Sequence, residues 1–270
     1  MNIKISTILF ILYANFNYAQ PNCEAFNYYG DKKQYEACNL IKGANSYNQL
    51  SKEFQQIYDE ALEICPYFAY AYREKSVAYL KTGDFINWKK LIDLAVKYDE
   101  IGNLDYRAWC KFQFFRDYKG AIQDFERLEK LTSDIGYSQN GHYHLQIVKG
   151  ICYSALGENQ KAVKIIINQL KKDNYLVGPY DYFQLGVIYF KLNDLENALL
   201  FFDKQTEYNQ LAENYYFVAR IYKLKKMQQE FEINKSLAIE NYKNKRYLFD
   251  PYTHHYNKIF LSEIVSENFL

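Results

Sequence analysis

The sequence contains few of the residues that interrupt helices, with only four prolines and eleven glycines among 270 residues. This scarcity argues against a β-rich or disordered chain. The formal net charge is only +1, so composition gives no reason to expect a nucleic acid or an anionic membrane as a partner. The sequence has no glycine-rich phosphate loop and no Cys-x-x-Cys or Cys–His spacing typical of zinc sites. We therefore expect no cofactor and no bound metal.

The N-terminus has the pattern of a secretion signal. Lys4 gives a short positive start, residues 5–16 are mostly apolar, and residues 17–19 precede a cleavage point before Gln20. The apolar run is too short for a good membrane span, and the residues before Cys23 do not form a lipobox. We predict that residues 1–19 are a signal peptide and that the mature chain is exported to the periplasm, cell envelope or medium, without membrane insertion. The alternative is a cytoplasmic chain with an apolar first helix.

Five cysteines follow the predicted cleavage point, and an exported protein can form disulfides. Cys23 and Cys38 are the nearest pair, and a bridge between them would hold the new N-terminus in place. Cys110 and Cys152 lie among apolar helical residues, which is typical of buried thiols.

Residues 181–202 contain the clearest pattern, which is two helices joined by a tight turn. The first helix has one apolar stripe at helical spacing, formed by Tyr182, Leu185, Gly186 and Tyr189. A glycine inside a helix costs stability, so Gly186 indicates that another helix crosses close to it. Asp194 can cap the second helix, on which Ala198 and Phe202 begin a second stripe.

This order of residues resembles the tetratricopeptide repeat (TPR). Further small residues at Gly150 and Ala219 recur at close to the roughly 34-residue TPR period. An earlier unit places Trp88 where a small residue is usual, and another leaves Ala108 and Trp109 as alternatives for that position, of which Ala108 is favoured. The resemblance implies an all-α, right-handed superhelical solenoid of antiparallel helix pairs.

The pattern predicts three parts after the signal peptide. Residues 20–47 form an N-terminal segment with the first helix, residues 48–247 form about six helical hairpins, and residues 248–270 form a C-terminal capping helix. Asp250-Pro251 resembles a helix start, so the last helix is predicted over 251–266. Its apolar face would cover the open end of the solenoid.

The resemblance also implies a function, because the first helix of each TPR unit lines a concave groove that takes a peptide or a partner's helix. The corresponding groove positions here are Tyr70, Arg73, Val77, Lys81, His144, Ile147, Ile151, Tyr180, Phe183, Val187, Lys191, Glu213, Tyr216, Arg220 and Lys223. Their aromatic rings offer rigid contact area, and their cations can hold a carboxylate or carbonyl. The asparagine-and-lysine clamp of chaperone-binding TPRs is incomplete, so a chaperone tail is not the expected ligand.

Two alternatives to a peptide-binding scaffold remain open. In the first, the aromatics only fill gaps between helices, and the repeats mediate self-association without a groove ligand. In the second, the protein is an enzyme or metal protein that uses His142, His144 and the 132–141 loop. Histidines two residues apart do not share a helix face, so they are poorly placed to bind one metal ion together. No catalytic residue is predicted.

Overall fold

The computed structural model describes residues 21–269. Within this range the chain is all-α, with no named strands and with helices in successive antiparallel pairs, so the predicted fold class is confirmed. The helices are α1 (Cys23–Tyr28), α2 (Lys32–Ile41), α3 (Lys52–Ile64), α4 (Ala69–Thr82), α5 (Phe85–Tyr98), α6 (Ile101–Gln113), α7 (Tyr118–Leu128), α8 (Leu145–Ala155), α9 (Asn159–Leu170), α10 (Asp181–Lys191), α11 (Leu195–Tyr208), α12 (Ala212–Leu224), α13 (Gln228–Lys243) and α14 (Leu261–Ser266). The predicted signal peptide, residues 1–19, lies outside the described residues.

Six hairpins form the solenoid, and each pairs an even-numbered helix from α2 to α12 with the next helix. The first hairpin begins at Lys32, so the regular array starts earlier than the predicted boundary at residue 48. The tight turns are built by short polar residues. Asp84 and Asp194 each accept the backbone N–H three residues later, at 3.1 and 3.2 Å, and so satisfy an otherwise unpaired donor of the second helix.

Close helix crossings explain two of the helical glycines. A Cβ atom on Gly150 would lie 2.5 Å from Cγ1 of Ile166 on α9. A Cβ atom on Gly186 would lie 2.6 Å from Cε1 of Phe202 on α11. Both contacts are too short for carbon atoms, so a larger residue at either position would force the paired helices apart.

The N-terminal part is held by both a covalent bond and packing. A disulfide joins Cys23 of α1 to Cys38 of α2, and Phe54 and Tyr58 of α3 belong to the same buried cluster. α1 was not predicted from the sequence. The thiols of Cys65, Cys110 and Cys152 are free and buried, where they act as small apolar groups.

The C-terminus differs from the predicted helix over 251–266, because α14 begins only at Leu261. Asp250 does accept backbone N–H groups, from Tyr252 at 2.9 Å and Thr253 at 3.1 Å, but these bonds cap a turn. Asn257 then has a φ of 63°, in the left-handed region, which stops a helix from forming through it. No helix within residues 21–269 is both long and apolar enough to cross a bilayer.

Candidate peptide-binding groove

The chain's own C-terminus packs against the first helices of three hairpins, α4, α10 and α12, which line the concave face. We call residues 246–269 the C-terminal segment. It leaves α13, passes the start of α12, reaches the end of α4 and returns to α12 and α13. Contacts at its far point are made by Asn140 with Asp250, at 3.4 Å, and by the Lys81 ammonium over the Tyr252 ring, at 5.3 Å.

Gln184 of α10 holds the returning part of this segment. The side chain is fully buried, and its amide nitrogen donates to the backbone oxygen of Tyr256 at 3.3 Å and to the Tyr143 hydroxyl at 3.1 Å. Its amide oxygen accepts from the Asn257 side chain at 2.7 Å. Gln184 therefore binds the backbone of Tyr256 and the side chain of Asn257.

Glu213 of α12 forms a second, charged anchor. Its carboxylate is fully buried and accepts from the Leu248 backbone N–H at 3.2 Å and from the Lys258 ammonium at 2.7 Å. Burial raises the pKa of Glu213, and the Lys258 cation opposes that rise. Since a buried carboxylate without a cation is strongly unfavourable, the solenoid and the C-terminal segment depend on each other here.

Glu267 provides a third anchor near the end of the chain. Lys223 donates to its carboxylate at 2.8 Å and the Tyr216 hydroxyl donates at 3.1 Å, while Arg220 lies 3.9 Å away. Burial raises the pKa of Glu267, but the hydrogen bonds from Lys223 and Tyr216 outweigh it, and the pKa lies below its usual value. Three of the sequence-predicted groove residues thus bind a carboxylate, and this carboxylate belongs to the same chain.

The histidines lie in two separate environments. His255 of the C-terminal segment is buried, with its ring centroid 5.4 Å from those of His142 and Tyr180, and its Nε2 donates to the Phe249 carbonyl at 3.0 Å. Burial lowers the pKa of His255 to about 4. His144 instead caps α8: its Nδ1 accepts from the Gln146 backbone N–H at 3.1 Å.

The nitrogen of His144 that carries the proton, Nε2, donates to Asp134 at 2.8 Å. Burial lowers the pKa of His144 in spite of this carboxylate. His144 therefore fixes the 132–141 loop to the start of α8 and does not face the groove, contrary to the position that the sequence pattern gave it. Within residues 21–269, no three His, Cys, Asp or Glu side chains are grouped so that they could hold a metal ion.

Apart from His144, the predicted groove residues fall into three sets. Those that contact the C-terminal segment are Lys81, Tyr180, Lys191, Glu213, Tyr216, Arg220 and Lys223. Those that pack inside the apolar core, with at most 1% exposure, are Ile147, Ile151, Phe183 and Val187. This second set was assigned wrongly to the open surface, because its side chains fill the space between neighbouring helices.

The third set, Tyr70, Arg73 and Val77, lies with Lys81 along α4, beyond the C-terminal segment. Two adjoining cavities flank this helix, of about 130 and 230 Å³. The smaller is lined by residues that include Tyr58, Tyr70 and Glu74, and the larger by residues that include Val77, Trp109, Phe114 and Tyr252. Burial raises the pKa of Glu74. This part of the concave face is therefore aromatic, with Lys81 shared by both cavities.

Arg73 closes one side of this open part. Its guanidinium donates to the Gly102 carbonyl at 3.0 Å and to the Gln139 side chain at 2.9 Å, and it lies 4.8 Å from the centre of the Tyr106 ring. These bonds tie α4 to the next hairpin and to the 132–141 loop, so they keep the cavity walls in place. Gln184, Trp109 and Tyr252 were missed from the sequence, because the TPR pattern marks helix faces and not what a distant segment places against them.

These features, a solenoid of nested helical hairpins with a concave groove, define the class of the protein. The TPR family model matches residues 182–210, which cover most of α10 and all of α11. A TPR repeat-containing protein of Methanocaldococcus jannaschii is 24% identical over 200 residues, or 73% of this chain. The chain spans only about a third of that relative's length (33%). The protein therefore has the fold of a tetratricopeptide repeat solenoid, and its α10–α11 hairpin matches the TPR family model.

Solved structures show the same fold at low sequence identity. PilF of Pseudomonas aeruginosa superimposes with a TM-score of 0.58 at 14% identity, over 78% of this chain and 94% of its own. PilW, described as a widely conserved type IV pilus biogenesis factor, also gives 0.58, at 15% identity over 78% and 92% of the two chains. YrrB, described as a TPR protein with an unusual peptide-binding site, gives 0.51 at 19% identity, over 68% and 91%.

Proposed function

We propose that the protein is an exported, non-catalytic scaffold that binds a peptide segment of a partner protein in the open part of its groove along α4. The observation that carries this proposal is the pair of cavities around Lys81, which the C-terminal segment borders but does not fill. Their aromatic lining suits the apolar side chains of an extended peptide. Lys81 and Glu74, which line these cavities, can hydrogen-bond the polar backbone groups of the peptide.

The fold supports a binding role, since TPR solenoids present extended concave surfaces to other proteins. One structural neighbour is described by its peptide-binding site and another by its part in type IV pilus biogenesis. We carry over from them only the general role of a protein-interaction scaffold, in the periplasm or cell envelope. The Cys23–Cys38 disulfide supports export, because such bonds persist in oxidising compartments.

Site-specific photo-crosslinking tests groove binding. A photoreactive residue replaces Val77, which lines the larger cavity, and in a matched control it replaces Lys164, which is exposed on α9. Crosslinks are formed in intact cells and the attached peptides are identified by mass spectrometry. We expect one defined peptide segment of another protein at Val77 and none of it at Lys164.

The outcomes separate the proposal from its rival. Crosslinks from Val77 to a second copy of this chain, together with a dimer in light scattering, would favour the self-associating role. Equal capture at both positions would refute the groove as the binding surface. Export is checked separately, by N-terminal sequencing of the protein from the periplasmic fraction, where we expect the mature chain to begin at Gln20.

A further inference from the structure

A third cavity, of about 520 Å³, lies where the second and third hairpins meet. It is lined mainly by Phe85, Ile86 and Trp88 from the start of α5, by Arg107 and Lys111 of α6, and by Phe115 of the following turn. α6 thus presents Arg107 and Lys111 to this cavity, and Tyr106 and Trp109 to the 230 Å³ cavity of the groove. These two cavities therefore lie on different faces of α6. We call the 520 Å³ cavity the outer pocket.

Aromatic rings form the wall of the outer pocket. The Phe115 ring centre lies 4.6 Å from those of both Phe85 and Trp88, in edge-on and tilted arrangements. At its edge, Ile86 is 73% exposed and Phe85 is 42% exposed. Aromatic groups favour further rings in such offset or edge-on contacts, and exposed apolar side chains beside a cavity are typical of binding sites. A ring that entered the pocket would cover both exposed side chains.

Positive charge dominates the rim of the outer pocket. Its cations are Lys89, Lys90, Arg107 and Lys111. Arg107 and Lys111 share the Asp124 carboxylate, at 2.7 Å each, and Lys89 and Arg107 share Asp93. Lys90 is exposed and has no ion-pair partner within 4.0 Å among residues 21–269. The remaining carboxylate at the rim, Asp117, accepts the Gly120 backbone N–H at 2.9 Å and so caps α7. Within the described part of the chain, the rim therefore has an unpaired cation, Lys90, with which a further carboxylate could pair.

We propose that the outer pocket binds a partner peptide in which an aromatic side chain stands between acidic residues. The aromatic ring packs against Phe85, Trp88 and Phe115, and the flanking carboxylates lie near Lys90 and Lys111. A neutral apolar peptide would leave Lys90 without a carboxylate, and an acidic peptide without a ring would leave the apolar wall uncovered. A site on this face, separate from the groove, allows one molecule of the scaffold to join two partners.

Binding of short synthetic peptides to the full chain tests this proposal by isothermal titration calorimetry. The probe is an acetylated and amidated peptide with the core Glu-Phe-Glu. Its controls carry Gln-Phe-Gln, which removes the charge, and Glu-Ala-Glu, which removes the ring. We expect the probe to bind at least roughly tenfold more tightly than either control, because each control loses one of the two interactions. Equal affinity for the probe and for Glu-Ala-Glu, or no binding of the probe at millimolar concentration, would overturn the proposal.

Charge reversal at the rim locates the site. Lys90→Glu should weaken binding of the probe by roughly three- to tenfold. Lys164→Glu, the same change at an exposed position of α9, should leave binding unchanged. Val77→Asp, in the groove, should also leave it unchanged. Both lysines are exposed, and melting curves of the variants confirm that they fold. Equal weakening by both lysine changes would show general charge attraction, and weakening by Val77→Asp would place the peptide in the groove. Either result would refute the outer pocket as the site.

Discussion

Replacing Gly186 by alanine adds one methyl group where α10 crosses α11. The new Cβ atom would lie 2.6 Å from Cε1 and 2.7 Å from Cδ1 of Phe202. The Phe202 ring cannot turn away easily, because it is fully buried and its centre lies 6.2 Å from the Phe183 ring and 6.0 Å from the Phe217 ring. The two helices must therefore separate or the rings must repack.

Two effects of opposite sign decide the size of the change. Alanine is favoured over glycine in a helix interior by about 1 kcal/mol. Overpacking a close core contact costs about 1–3 kcal/mol. We expect Gly186→Ala to lower the free energy of unfolding by about 1 kcal/mol and Gly186→Leu by about 3 kcal/mol or more, since leucine adds three further carbon atoms at the same point.

Urea unfolding followed by circular dichroism measures this difference, and Gly43→Ala is the matched control. A Cβ atom on Gly43 would meet no heavy atom within 4 Å, so we expect that variant to be as stable as wild type or up to about 1 kcal/mol more stable. The close-crossing explanation fails if Gly186→Ala is as stable as the wild type or gains stability as Gly43→Ala does.

Three further predictions concern the C-terminal segment and the N-terminus. Lys258→Met should lower the free energy of unfolding by about 3–5 kcal/mol, because it leaves the buried Glu213 without a cation, and adding Glu213→Gln should restore much of the loss. A double variant no more stable than Lys258→Met alone would contradict this. Burial lowers the pKa of His255 from its usual 6.5 to about 4, so the stability that it contributes is complete above pH 6.5 and falls as the pH drops toward 4. We expect the free energy of unfolding to fall by about 3 kcal/mol between pH 6.5 and pH 4, as measured by thermal melts across pH. His255→Gln should remove that part of the acid sensitivity. An unchanged pH profile in this variant would rule the explanation out. Reduction of Cys23–Cys38 should cost about 3 kcal/mol of local stability, visible as faster amide exchange in α1 and α2, and unchanged exchange would show that packing alone holds them.

The hairpins could be predicted from the sequence because their signals are local. The spacing of apolar residues around Gly186 and the capping by Asp194 lie within a few turns of the helices that they define, and the structure places both as expected. The C-terminal segment could not be predicted in this way. Asp250 and Pro251 have the chemistry of a helix start, but Tyr256 and its neighbours are held by contacts to helices far away in the sequence.

The candidate groove was predictable to the same limited extent. Repeat spacing indicated which helix faces point inward, and on one of these faces Tyr216 and Lys223 donate hydrogen bonds to a carboxylate. It could not indicate that Glu267 of the same chain supplies this carboxylate. Nor could it separate Phe183, which is fully buried, from Tyr70, which lines a cavity, because both have the same periodicity.

The path of the C-terminal segment also bears on the mechanics of the solenoid. A superhelix whose repeats touch only their neighbours can stretch or coil like a spring. Here one stretch of chain is fastened to α10 by Gln184 and to α12 by Glu213 and Lys223, and it reaches Asn140 and the Lys81 side chain of α4. Lengthening the array would pull on all of these attachments together, so we expect the five hairpins from α4 onward to move as one stiff unit and any bending to concentrate at the first hairpin.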